Sequence, residues 1–92
     1  MAKLSVEQAH ALPLDEVKKR LEEVANRLSE KYGIDARWTG DREAMLKRTG
    51  VTGTIKILED KVSVLLDLSF ALIPVKGKIQ ERIERELKSA LA

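Results

Sequence analysis

Residues 51–68 read VTGTIKILEDKVSVLLDL, and this stretch decides the fold. In its first half, Ile55 and Ile57 alternate with polar residues, which is the period of two expected of a half-buried strand. Glu59, Asp60 and Lys61 form a tight polar turn, and a second alternating run follows. Two strands joined by so short a turn pair antiparallel, so we predict a β-hairpin. The apolar face of its second strand is expected to comprise Val62, Val64, Leu66, Leu68 and Phe70.

Further strands are predicted on both sides of the first helix and next to the hairpin. Leu65 breaks the alternation of the long strand, which indicates that this strand is central or partly covered on both faces. Upstream, residues 34–39 and 43–47 alternate between apolar and polar side chains, with Gly40-Asp41 as a turn signal between them. A short strand around Leu4 and Val6 begins the chain and ends near Ala9.

Two amphipathic helices are predicted from residues that recur at helical spacing. The first begins at Pro13-Leu14 and ends at Gly33, which can supply a left-handed residue. The second has Pro74 in its first turn and repeats an apolar residue every four positions from Ile79 onward. On its opposite face we expect the i, i+4 ion pairs Glu81 with Arg85, Arg82 with Glu86 and Glu84 with Lys88.

These elements predict a two-layer α+β domain that comprises residues 1–92 as a single unit. Its antiparallel sheet has four to five strands, with the two helices on one face, in the order β-α-β-β-β-β-α. Because small sheets with free edges often associate, a homodimer is also expected.

The composition argues against several classes of function. No cysteine is present, which excludes disulfides, thiolate zinc sites and a cysteine nucleophile. The net charge of +2 arises from interleaved basic and acidic residues, and only 3% of residues are aromatic, so we predict no nucleic-acid binding. No signal peptide and no transmembrane segment is evident, and we expect a cytoplasmic protein.

His10 is the only histidine, and it lies at the predicted junction of a strand and a helix. An imidazole can act as a proton shuttle, but catalysis usually needs an orienting carboxylate and a nucleophile beside it. The sequence singles out neither partner, so we favour a structural role in which the ring binds loop backbone. We predict no catalytic residue, no metal and no cofactor.

Gly50-Val51-Thr52-Gly53 superficially resembles a phosphate-binding loop. It lacks the Gly-Lys-Ser/Thr that completes such a loop, and no helix follows it. A tight turn or a bulge explains both glycines, so we do not expect nucleotide binding.

Two apolar features are candidates for contact with a ligand or partner. Trp38 shares a strand face with Ile34 and Ala36, where a core role competes with a role in closing a groove. Residues 69–75, SFALIPV, connect a strand to the last helix and can form either a buried strand end or an exposed adhesive patch. The candidate contact residues are Trp38, Phe70, Leu72, Ile73 and Val75, with His10 in a polar role.

The chain as a whole resembles the polyhydroxyalkanoic acid system family, also called the polyhydroxyalkanoate granule-region family. The resemblance runs from about Lys3 to Ala92 and depends on the order and spacing of several segments. These are His10, the Leu14–Gly33 helix, Trp38-Thr39-Gly40-Asp41, residues 50–55, the Val62–Leu68 strand, residues 76–83 and the Leu87–Ala92 tail.

This resemblance implies a small bacterial protein that works around storage-polyester granules, in a structural or regulatory role. We therefore predict a non-enzymatic binding module whose partners are the granule surface or granule proteins. The alternative is a small carrier of an apolar hydroxyacyl or fatty-acyl ligand. A hydrolase is disfavoured because the chain has no Gly-x-Ser-x-Gly motif and no cysteine.

Overall fold

The computed structural model describes residues 2–91, so Met1 and Ala92 of the predicted domain lie outside the described residues. The chain forms an α+β fold in the predicted order β-α-β-β-β-β-α. The elements are β1 (Ala2–Ala9), α1 (Leu14–Tyr32), β2 (Asp35–Gly40), β3 (Glu43–Arg48), β4 (Val51–Ile57), β5 (Lys61–Leu68), a 3₁₀ helix (Phe70–Val75) and α2 (Lys76–Leu91).

The five strands form one antiparallel sheet in the order β1-β5-β4-β3-β2. The hairpin predicted from residues 51–68 is β4 and β5, with Ile55 opposite Val64. β5 lies between β1 and β4, which confirms that the long strand is in the interior of the sheet. The first strand thus pairs with the last, and β1 and β2 are the two edges.

Both helices cover one face of the sheet, as predicted. The residues of β3, β4 and β5 that point to this face are almost all buried, while those on the other face are polar or exposed. The helices contribute Val17, Leu21, Val24, Ala25 and Leu28 from α1, and Ile83, Leu87 and Leu91 from α2. On the open face, Met45 and Leu65 are about half exposed. The homodimer stays a prediction.

Two arginines of α1 hold the helices together. The Nε of Arg27 lies 2.8 Å from a carboxylate oxygen of Glu86, and the guanidinium of Arg20 donates to the carbonyl of Ala90 at 2.8 Å. Because Glu86 is bound by Arg27, the expected pair of Arg82 with Glu86 does not form. That prediction was wrong because a cation from the neighbouring helix displaces the local one.

The connection from β5 to α2 differs from the prediction. β5 ends at Leu68, so Phe70 does not extend the buried face of that strand. The N–H of Leu72 donates to the carbonyl of Ser69 at 3.0 Å, which turns the chain into a 3₁₀ helix directly after the strand. Pro74 lies inside this 3₁₀ helix, and α2 begins later, at Lys76.

The two glycines of residues 50–53 have different roles. Gly50 has φ +83 and lies in the β3–β4 turn, as predicted. Gly53 lies in the middle of β4, where pairing to both neighbours continues without interruption, so the predicted turn or bulge is wrong there. A Cβ at Gly53 would collide with the side chain of Leu66 and the carbonyl of Leu65. Glycine is therefore required for close approach of the strands.

Candidate functional site

The 3₁₀ helix Phe70–Val75 is held in place by the turn between β3 and β4. The N–H of Ser69 donates to the carbonyl of Gly50 at 2.9 Å, immediately before the 3₁₀ helix begins. Leu72 is half-buried and packs against the core, and its Cδ1 lies next to the position of a Cβ at Gly50. Leu72 thus anchors the short helix to the body of the domain.

The remaining large side chains of this helix face solvent. Phe70 is 74% exposed, Ile73 41% and Val75 38%. We call these three residues the apolar patch. The side chain of Phe70 keeps most of its contact with water in the folded protein. It therefore contributes less hydrophobic stabilisation than a buried phenylalanine would. Such a patch is available to contact an apolar surface.

Beside the 3₁₀ helix, residues of α1, α2 and the sheet line an open hollow of about 300 Å³, which we call the apolar pocket. Its floor consists of aliphatic side chains that belong to the hydrophobic core, and its walls are Tyr32, Leu72 and Ile79. Val75 lies at its rim. The floor residues are Leu28, Ile34, Val51, Leu66 and Ile83.

Three cations and no acid line the apolar pocket: Arg48, Lys78 and Arg82. Within residues 2–91, none of the three forms an ion pair. Lys78 and Arg82 are one turn apart on α2, and Arg48 ends β3 on the face that the helices cover. An apolar interior with a positive mouth can hold a molecule that has an apolar chain and an anionic end.

Of the predicted contact residues, the structure brings Leu72 and Val75 to the apolar pocket and places Phe70 and Ile73 beside it on the same short helix. Sequence reasoning missed the three cations. Lys78 and Arg82 each precede an isoleucine of the apolar stripe of α2 and are four residues apart. This spacing places both cations on one face of the helix, beside the stripe, and could have been read from the sequence. Arg48 continues the alternation of Ala44 and Leu46, but only the tertiary structure places it near α2.

Trp38 lies apart from this site. Trp38 is half-buried on the helix-covered face of β2, at one edge of the sheet. It is the last in a row of residues that pair across the strands, after Val6, Val64, Ile55 and Ala44. The Nζ of Lys18 is 5.4 Å from the centre of its ring, a cation–π distance. Trp38 thus packs α1 against the sheet edge, next to a shallow hollow that it shares with residues such as Glu22 and Asn26.

His10 binds loop backbone with both ring nitrogens. The N–H of Leu12 donates to its Nδ1 at 3.3 Å, so Nε2 carries the proton and donates to the carbonyl of Leu58 at 3.0 Å. The N–H of His10 also donates to the carbonyl of Asp60 at 2.9 Å. His10 therefore ties the end of β1 to the β4–β5 turn.

Within residues 2–91, no group of three histidine, aspartate or glutamate side chains is arranged to hold a metal ion. No helix in the described part of the chain is both long enough and apolar enough to span a bilayer.

Comparison with known proteins gives one match. The model of a family described as "Putative polyhydroxyalkanoic acid system protein" matches residues 4–91. No curated protein and no solved structure matches the chain at a significant level.

Proposed function

Because the chain belongs to the family of polyhydroxyalkanoic acid system proteins, we propose that it is a non-enzymatic module that binds the surface of cytoplasmic polyhydroxyalkanoate granules. The apolar patch makes the contact. The observation that carries this proposal is the exposure of Phe70, 74%, on a helix that is anchored from below by Leu72.

The geometry of the patch favours contact with an extended apolar surface. Phe70, Ile73 and Val75 lie within six residues, on an element whose position is set by hydrogen bonds at Ser69. Little conformational entropy is lost when a preordered element binds, so most of the buried area contributes to affinity. Each Å² of apolar surface removed from water contributes about 25 cal/mol to binding. The entropic costs of association are subtracted from this contribution.

Co-sedimentation of the purified chain with native polyhydroxyalkanoate granules tests this proposal. We expect saturable binding that Phe70→Asp weakens by tenfold or more, because a carboxylate would have to be desolvated at the contact. Leu58→Asp is the matched control, since Leu58 is 41% exposed but lies at the opposite end of β5. Circular dichroism verifies that both variants fold.

Equal binding of Phe70→Asp and the parent chain would refute the contact surface. Absence of binding by the folded parent chain would refute direct association with granules. Phosphatidylcholine vesicles serve as a control, because equal binding to them would show affinity for any lipid interface instead of the granule.

Absence of catalysis is part of the proposal and is supported by the geometry of His10. Both of its ring nitrogens are bound to backbone groups, so the imidazole has no free lone pair for a nucleophile's proton. Hydrolysis of hydroxyacyl esters by the purified chain, abolished by His10→Ala, would contradict this part.

The apolar pocket supports a second candidate function, a carrier of a small apolar ligand. Its volume of about 300 Å³ is at the lower end of the usual range for ligand sites, about 300–1,000 Å³. Binding of a neutral aliphatic alcohol such as octanol inside the pocket, detected by nuclear magnetic resonance, tests the carrier function in its simplest form.

A further inference from the structure

We infer that the ligand of the apolar pocket is a short straight-chain carboxylate, with its tail against the pocket floor and its head group at Arg48, Lys78 and Arg82. This inference rests on the carrier function proposed above, and its head-group residues are distinct from Phe70, the residue that tests the granule contact.

The floor of the pocket selects for an aliphatic tail. Leu28, Val51 and Leu66 are at most 5% exposed, and each comes from a different element. No buried polar group lines the floor, so a ligand with polar groups along its chain would leave them unpaired there. The volume of about 300 Å³ accommodates a short chain and not a long folded one.

The mouth of the pocket selects for a negative charge. Lys78 and Arg82 reach the pocket from α2, and Arg48 reaches it from the end of β3. Each acid of α2 has another partner: Glu81 pairs with Arg85, Glu86 pairs with Arg27, and the carboxylate of Glu84 accepts a hydrogen bond from Gln80. The three cations at the mouth thus form no ion pair within residues 2–91. A ligand carboxylate would be their counter-ion.

An arginine side chain matches a carboxylate better than it matches an ester or an alcohol. Its planar guanidinium donates two parallel hydrogen bonds to the two carboxylate oxygens. A neutral ester or alcohol lacks the charge that would offset the concentration of positive charge at the mouth. Charge complementarity therefore favours the free acid over its esters.

The test is a titration of the whole chain with octanoate and with octanol, followed by methyl resonances in nuclear magnetic resonance spectra. Both probes have the same tail, so any difference reports on the head group. We expect shifts at Leu72, Ile79 and Ile83 with both, and a Kd at least tenfold lower for octanoate. Shifts confined to Met45 and Leu65 on the open sheet face would refute the site.

Two variants and a matched control assign the head-group contacts. Arg48→Gln and Arg82→Gln should each raise the Kd for octanoate by about tenfold, and leave the Kd for octanol unchanged. Lys88→Gln is the control, because Lys88 is an equally charged residue of α2 that is absent from the pocket lining and forms no ion pair within residues 2–91. It should leave both affinities unchanged.

The outcomes separate this inference from the carrier function. Equal affinity for octanoate and octanol in the pocket would overturn the carboxylate assignment and leave the carrier function standing. Failure of both probes to shift any pocket methyl would overturn both. Neither result depends on the granule assay, whose contact residue is Phe70.

Discussion

The backbone carbonyl of Gly50 accepts a hydrogen bond from the backbone N–H of Ser69 at 2.9 Å. This bond joins the β3–β4 turn to the residue that precedes the 3₁₀ helix. A Cβ at Gly50 would be 3.0 Å from the Oγ of Ser69, and the backbone of Gly50 has φ +83. The position of the apolar patch therefore depends on glycine in the β3–β4 turn, two strands earlier in the chain.

Gly50→Ala should lower the free energy of unfolding by about 1–3 kcal/mol, because a side chain at this positive φ is strained. We expect the backbone amide resonances of residues 69–75 to shift as well, since the new methyl group contacts Ser69. Urea unfolding and amide spectra measure the two effects. Gly77→Ala is the control: Gly77 has no atom within 4 Å of its Cβ position and lies in α2. A stable Gly50→Ala with unshifted amides would contradict the assigned role of the turn.

Gly53→Ala should destabilise the protein by about 1–3 kcal/mol, the usual cost of overpacking a core. The added methyl group would collide with the side chain of Leu66 and with backbone of β5. Gly40→Ala is matched to it, since Gly40 is also in a strand but has open space at its Cβ position. Thermal unfolding compares them, and equal stability of the two variants would disprove a packing role for Gly53.

His10→Ala should lower the free energy of unfolding by about 1–2 kcal/mol, because two backbone hydrogen bonds to its ring are lost. Binding to granules should be unchanged, since His10 and Leu58 lie at the end of β5 remote from the 3₁₀ helix. Urea unfolding and co-sedimentation measure the two quantities. An undiminished free energy of unfolding with impaired granule binding would indicate that His10 acts at the contact and not in the fold.

Glu7 and Lys61 should make stability depend on pH in the alkaline range. A hydrogen bond from Lys61 to Glu7, followed by their charge attraction, raises the pKa of Lys61 above 10.5. A raised lysine pKa stabilises the fold fully below the unfolded-state pKa, and this stabilisation is lost as the pH rises through the folded-state pKa. The Nζ of Lys61 is 2.9 Å from the Glu7 carboxylate, but both side chains are about half exposed, so solvent screening keeps the effect small.

Comparison of Glu7→Gln with the parent chain in urea, near pH 7 and near pH 11, measures this pair. The parent chain should have a higher free energy of unfolding than Glu7→Gln near pH 7. This difference between the two proteins should shrink near pH 11. Glu43→Gln, another exposed strand glutamate, controls for the change in net charge. A difference that grows with pH would contradict the direction of the Lys61 pKa shift.

Local pattern was sufficient for the five strands, the two α-helices and much of their arrangement, but not for the 3₁₀ helix between β5 and α2. The alternation around Ile55 and Val64 predicted the hairpin, and Gly33 ends α1 with φ 68 as expected. These features depend on neighbours within a few residues, through the period of a strand or a helix and the backbone freedom of glycine. The order of elements and the single covered face followed from them.

Only the tertiary structure decided the features of the candidate site. The pairing of Arg27 with Glu86 displaced the local pair with Arg82 and left Arg82 at the mouth of the pocket. Gly53 is required by Leu66 on the neighbouring strand, and the end of β5 at Leu68 exposes Phe70. The sequence by itself determined which faces are apolar, because each side chain's periodicity is local. Packing decided which charges pair and which apolar groups stay exposed, because those outcomes depend on distances between elements that are far apart in the chain.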